Sequence, residues 1–196
     1  MAEHSYQQGL GLAKLQAVIR GRRSREVHCK RAQLGAKIVC PFVSANESIV
    51  FKIIENALIE KSDIVLDIGS GDGGIIVPIS QHTGARTIGV EIDELLCRTA
   101  RRKAREAGVS NLVDVINMDA LNTMIGIASV VSLFLVPSCL QILSPKLREG
   151  AKKGLKIVNI KYPLPSEHGW IPSAVVLCED VVKLGSSTFI YIYEVQ

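Results

Sequence analysis

From about residue 44 onward, apolar and polar positions alternate between two periods. In "PFVSANESIVFKIIENALIEKSD", Ile49, Val50, Ile53, Ile54, Ala57 and Leu58 recur with a helical period. Ser44 and Glu47, three residues apart, read as a capping box that opens this helix. "DIVLDIG" is a short apolar strand, and "GIIVPISQHTG" a helix that ends at glycine with Pro78 in its early turns. "RTIGVEI" is a strand, and "DELLCRTARRKAREAG" a helix capped by Asp93 and closed by Gly108. "LVDVINM" follows as a strand, and "SVVSLFLV" as an almost wholly apolar one, the signature of a central parallel strand. "SCLQILSPKLREG" reads as helix and "LKIVNIKYP" as strand. "AVVLCEDVVKLGSSTFIYIYEV" reads as a terminal hairpin turning near Gly185. Strand and helix thus alternate until a hairpin closes the chain. The pattern predicts an α/β fold: a doubly wound, Rossmann-like seven-stranded sheet with an antiparallel C-terminal hairpin.

Residues 1–40 do not share this pattern. They hold 8 of the 23 Lys and Arg but only two acids, Glu3 and Glu26, so the basic character of the chain resides there. We therefore divide the chain into a basic, helical N-terminal segment (1–40) and a domain (41–196). A length of 196 residues suits one domain with a substantial core. No apolar run is long enough to span a bilayer, and no secretory h-region is present. The five cysteines, Cys29, Cys40, Cys97, Cys139 and Cys178, show no CxxC spacing. They read as reduced, mostly buried thiols of an intracellular protein, cytoplasmic or mitochondrial, with no metal site.

In doubly wound sheets ligands bind at the carboxyl ends of the strands. The first strand runs into Asp67, Gly69, Ser70, Gly71, Asp72 and Gly73, the second ends in Glu91, and the third leads to Asp119. A dinucleotide site would use such glycines and one acid about 20 residues on. Three features speak against it. The glycines are spaced GxGxGG, Asp67 and Asp72 place negative charge where a pyrophosphate would lie, and Asp119 has no role there. S-adenosylmethionine (SAM) carries a sulfonium and an amino group but no phosphate, so acids near the loop attract it. Glu91 is then expected to accept the ribose hydroxyls, Asp119 the adenine amino group, and Gly69 and Gly71 to admit the methionine moiety.

In this order and spacing, "VLDIGSGDGG", "GVEID" and "NMDAL" resemble the motifs of seven-strand SAM-dependent methyltransferases, over roughly residues 41–196. After the fourth strand, "FLVPS" lacks the [DNS]PP[YFW] pattern of amino-group methylases of nucleic acid bases. With few aromatics and a slightly acidic domain, no nucleic-acid partner is expected. "PFVSANESIV", "VSLFLVPSCLQILSPKLREG" and "KIVNIKYPLP" are more specific. They resemble the protein-lysine N-methyltransferases of the ATP synthase c subunit and the adenine nucleotide translocase.

That resemblance implies transfer of a methyl group from SAM to a lysine of a protein. It implies that Phe42, Val43 and Ser44 cover the cofactor, and that Ile92, Ala120 and Leu135 complete its site. It also implies that Leu135, Val136 and Pro137 line a methyl-transfer channel. Ser138, Lys161 and Tyr162 lie near the same strand ends, with a helix N-cap as the plain role for Ser138 and loop surface for the other two. No general base is assigned, since a dry channel itself favours the neutral amine. The other readings are a methyltransferase of a small molecule or RNA, and a SAM-binding scaffold.

In the N-terminal segment Leu15, Gln16, Arg20, Gly21 and Arg25 fit the IQ pattern [IVL]QxxxRGxxxR, although His28 stands where a last apolar anchor is common. Leu15, Val18 and Ile19 supply an apolar face, so calmodulin or a related EF-hand light chain is the expected partner.

Overall fold

The computed structural model describes residues 45–178 and 188–196. The IQ-like segment, the proposed cofactor cover at Phe42, Val43 and Ser44, and the hairpin turn near Gly185 lie outside them.

Helix α1 (Glu47–Ala57) buries Ile49, Val50, Ile53 and Ala57. Its N-cap is Asn46, whose side chain accepts from the Ile49 N–H at 3.0 Å. The expected capping box of Ser44 and Glu47 is therefore displaced: Glu47 is the first helical residue, where its charge complements the helix dipole. Strand β1 (Ile64–Ile68), helix α2 (Ile76–Thr83), strand β2 (Arg86–Glu91) and helix α3 (Glu94–Glu106) follow. Gly84 closes α2 in the left-handed conformation, and Asp93 caps α3 by accepting from the Leu95 N–H.

Strand β3 (Val113–Asn117) leads through two 3-10 turns, Ala120–Asn122 and Ile125–Ile127, to β4 (Val130–Leu133). The apolar run "SVVSLFLV" is thus only half strand. Helix α4 (Pro137–Gly150) starts at Val136 with no side-chain cap, so Ser138 is an exposed first-turn residue and not the N-cap. Pro at the first helical position fixes φ and forgoes an N–H that would be unsatisfied there. Strand β5 (Lys156–Ile160) is joined to β6 (Ala174–Cys178) by a connection whose only helical piece is the 3-10 turn Ser166–His168. Strand β7 (Thr188–Glu194) completes the sheet.

The seven strands are ordered β3-β2-β1-β4-β5-β7-β6, parallel except for β7, which runs antiparallel to β5 and β6. This is the predicted doubly wound sheet with its terminal hairpin. On one face, Ile49, Val50 and Ile53 of α1 and Ile79 of α2 pack with Val65, Val130, Val158, Ile190 and Ile192 from four strands. Strand alternation puts Tyr193 on the opposite face, where Trp170 stands edge-on to it at 5.9 Å and donates from Nε1 to Ser144 Oγ of α4. Cys97, Cys139 and Cys178 are buried. Among the described residues no helix is long and apolar enough to cross a membrane, and no His/Cys/Asp/Glu cluster fits a metal.

Candidate active site

The crossover from β1 to α2 is made by glycines in conformations that side chains disfavour. Gly69, Gly71 and Gly73 all have positive φ, at +84°, +53° and +82°. The loop is pinned to β2, since the N–H groups of Gly69 and Ser70 both donate to the Val90 carbonyl, at 2.8 and 3.0 Å. A Cβ on Gly69 would stand 2.8 Å from Leu135 Cδ2, so the stretch after β4 lies directly against the loop. A Cβ on Gly89 of β2 would come within 2.6 Å of Ser70 Oγ, so this glycine makes the seat for the loop. The pattern of the strand hides Gly89, because a glycine inside an apolar run carries no chemistry of its own.

Two acids converge here. Asp67 is 2 % exposed, and it accepts a hydrogen bond at 2.5 Å from Ser132 Oγ, its neighbour in register on β4. Burial pushes the Asp67 carboxyl up to about 7, the Ser132 bond pulls the other way, and the nearby charge of Glu91 adds to the rise. Glu91 is also buried. It accepts from the Gly71 N–H and the Asp93 N–H, each at 2.9 Å, one on each oxygen. The second lone pair of each oxygen is the capacity left for a diol. Ile92 beside it is 58 % exposed. Asn117 holds this strand end by donating to the carbonyls of Glu91 and Ile92, a positioning role that the sequence did not suggest. Asp119 caps the following 3-10 turn at Ala120 by accepting from the Leu121 N–H at 2.8 Å.

Two loop residues face elsewhere. Asp72 accepts from Lys103 Nζ of α3 at 2.5 Å and from the Gly74 N–H. Its charge is neutralised by the helix behind the loop, so it does not carry the argument against a pyrophosphate, which falls to Asp67 and Glu91. Gly73 makes room for α3: a Cβ there would be 3.0 Å from Ala100 Cβ. Ser70 Oγ is buried with no hydrogen-bond partner among the described residues.

The carboxyl ends of β4 and β5 differ in character. Pro137 and Tyr162 share a cavity of about 370 Å³, whose lining includes Leu140, Pro163, Pro165, Trp170 and Tyr193. Val136 and Ser138 do not line it. The chain leaves β5 through Lys161, a non-glycine residue at φ +77°. Asn159, fully buried, donates to the Tyr162 carbonyl at 2.6 Å, and the Lys161 N–H donates to Phe189. These bonds hold a backbone conformation that is strained for a side-chain-bearing residue, at the end of the strand where function concentrates.

Residues 67–174, more than half of the chain, match the family described as the ANTKMT methyltransferase domain. The chain belongs to that family. As a member of the ANTKMT methyltransferase domain family it is a SAM-dependent methyltransferase. It is 29% identical over 153 residues to a protein-lysine N-methyltransferase of Saccharolobus islandicus, covering 78% of this chain and 92% of that protein. It is 32% identical over 140 residues to the mouse adenine nucleotide translocase lysine N-methyltransferase, covering 71% of this chain and 59% of that longer protein. Among solved structures, an RNA methyltransferase of Salinibacter ruber in complex with S-adenosylhomocysteine superposes with a TM-score of 0.70. The two are 33% identical, covering 78% of this chain and 93% of that one. The loop and its acids fit SAM: a buried acid pair suits a cationic ligand, and Gly69 leaves no side chain between the loop and Leu135.

Proposed function

We propose that this chain is a protein-lysine N-methyltransferase, with residues 41–196 as its catalytic domain. The observation that carries this reading is the character of the acceptor side. The cavity at Pro137 and Tyr162 is walled by prolines, Leu140 and aromatic rings, and Pro137 follows two residues after Leu135, which lies against Gly69. SAM supplies a methyl group already activated on a sulfonium. The lysine needs only to arrive neutral and aligned, and an apolar surround lowers the pKa of an ammonium. The likeness to the Saccharolobus protein-lysine methyltransferase, over nearly its whole length, supports the same acceptor class.

In this reading Asp67, with Glu91 nearby, balances the charge of SAM, while Glu91 takes the ribose hydroxyls. Asp119 and Ala120, with Ile92, border the adenine, and Leu135 closes over Gly69, Ser70 and Gly71 on the methionine side. Phe42, Val43 and Ser44 are assigned as cover on sequence alone. Pro137 and Tyr162 face the acceptor. On sequence alone, too, the segment around Leu15, Gln16, Arg20, Gly21 and Arg25 is proposed to bind calmodulin or a related light chain.

The Salinibacter structure favours one second reading, methylation of RNA. Incubation of the protein with methyl-labelled SAM and a cell extract separates the two. Label that survives nuclease, is lost with protease and is recovered as methyl-lysine after hydrolysis supports the protein-lysine reading. Label that nuclease removes overturns it in favour of RNA.

A further inference from the structure

One wall of the cavity is a single short stretch: Tyr162, Pro163, Leu164 and Pro165 all line it. The two prolines have no N–H, so the stretch keeps only two backbone donors and cannot extend the β5 ladder. Tyr162 and Leu164 each precede a proline and are confined to extended backbone. The bend that turns the chain out of β5 therefore falls on Lys161, at φ +77°.

Two buried side chains hold the stretch in place of a ladder. Asn159 of β5, 0% exposed, donates from Nδ2 to the Tyr162 carbonyl at 2.6 Å. Tyr193 of β7, 1% exposed, accepts on its hydroxyl from the Leu164 N–H at 2.7 Å. These bonds fix the two peptide groups that flank Pro163. Asn159 itself does not line the cavity, and its Oδ1 has no hydrogen-bond partner among the described residues. An unpaired buried acceptor and a left-handed lysine both cost stability. Leucine in place of the asparagine would remove the first cost, and glycine in place of the lysine the second. Both costs lie in the turn that aims the wall.

We propose that Asn159 and Tyr193 are positioning residues for methyl transfer. By fixing the peptide groups on either side of Pro163, they present the Tyr162 ring to the acceptor in one orientation, and in-line attack on a methyl group depends on such alignment. The proposal rests on the reading that Tyr162 faces the acceptor, and it holds for a protein or an RNA acceptor.

The full chain is assayed for label transferred from saturating methyl-labelled SAM to the macromolecules of a cell extract, at rising extract concentration. Asn159→Leu should lower the maximal rate about five- to tenfold, the scale of one hydrogen bond. The half-saturating extract concentration and the S-adenosylhomocysteine affinity by calorimetry should stay unchanged. The melting temperature should move little, because the unpaired Oδ1 leaves together with the bond. Tyr193→Phe keeps the ring, loses the acceptor, and should slow transfer about threefold; it carries the test if Asn159→Leu does not fold. Adding Lys161→Gly to Asn159→Leu should recover most of the rate, since glycine takes φ +77° unaided. Wild-type rates in both single variants, or losses of rate that only follow losses of folded protein, overturn the proposal. Trp170, the chain's one tryptophan, lines the same cavity and reports on the wall without turnover. Its emission should shift in Asn159→Leu and return with Lys161→Gly. Where an extract takes no label, this series decides, and an unchanged spectrum overturns the proposal. Label found in RNA and not in methyl-lysine would remove the protein-lysine reading, while the same rates still judge Asn159 and Tyr193.

Discussion

The two ends of the same sheet edge are built on different physics. At β1 and β2, backbone N–H groups, glycines with positive φ and two buried carboxylates meet within a few residues, and both carboxylates accept tight hydrogen bonds. At β4 and β5, prolines, leucine and aromatic rings border a cavity, and the buried polar contacts there, such as Asn159 to the Tyr162 carbonyl and Trp170 to Ser144, hold the walls in place. The first end tolerates one ligand, since its charges and its backbone both have to match. The second sets only a general requirement for apolar, elongated shape. Cofactor binding should therefore break with single atoms at the first end and be indifferent to large changes at the second.

The largest break is expected at Gly69. Gly69→Val adds a Cβ 2.8 Å from Leu135 Cδ2 at φ +84°, and should abolish S-adenosylhomocysteine binding measured by calorimetry. Circular dichroism checks that the sheet persists, and a folded variant with normal affinity would separate this loop from the cofactor.

Next comes the acid pair. Glu91→Ala removes a carboxylate and leaves the Gly71 and Asp93 N–H groups unpaired, so affinity should fall by roughly 1.5–3 kcal/mol. Asp67 adds a pH dependence whose sign is fixed by its raised value of about 7. A cationic ligand favours the ionised carboxylate, so SAM affinity should fall by up to about tenfold per pH unit below 7. Asp67→Asn should flatten that profile. In the free protein the folded state holds this proton more tightly than the unfolded state. Stability is thus fully present below the unfolded value of 3.8 and is lost as pH rises towards 7. Asp67→Asn should then raise the melting temperature at pH 8 relative to wild type. A wild-type affinity that does not change between pH 5.5 and 8 would remove Asp67 from the charge balance.

Tyr162→Ala tests the other end. It should leave S-adenosylhomocysteine affinity within about twofold while slowing methyl transfer by about tenfold, the scale of a lost aromatic contact with the acceptor. An equal loss in both would mean that the two ends are one site.

The smallest effect is expected at Lys103→Met. Its bond to Asp72 is partly exposed, so thermal stability should drop by no more than about 1 kcal/mol, with cofactor affinity nearly unchanged. A strong loss of affinity would restore Asp72 to the binding site.

The hydrophobic pattern by itself determined the order of strands and helices, the terminal hairpin and the acids at three strand ends. Those features are local: periodicity, glycine spacing and caps such as Asp93 are written within a few residues. Where local signals competed, the chain alone did not decide. Ser44 and Asn46 are both good caps by residue type, and α1 uses Asn46. "SVVSLFLV" is almost wholly apolar, yet its strand ends at Leu133 and Leu135 lies against Gly69. Asp67 and Ser132 are 65 residues apart, and Asp72 and Lys103 31 apart. One pair raises the question of a proton and the other removes a charge from the loop. Both arise from packing between distant elements, as does the meeting of Pro137, Tyr162, Glu167 and Trp170 around one cavity. Short-range pattern fixes which elements form, because backbone hydrogen bonding and burial periodicity are local. Which side chains face one another is decided when the elements pack, because that depends on distances the chain spans only after folding.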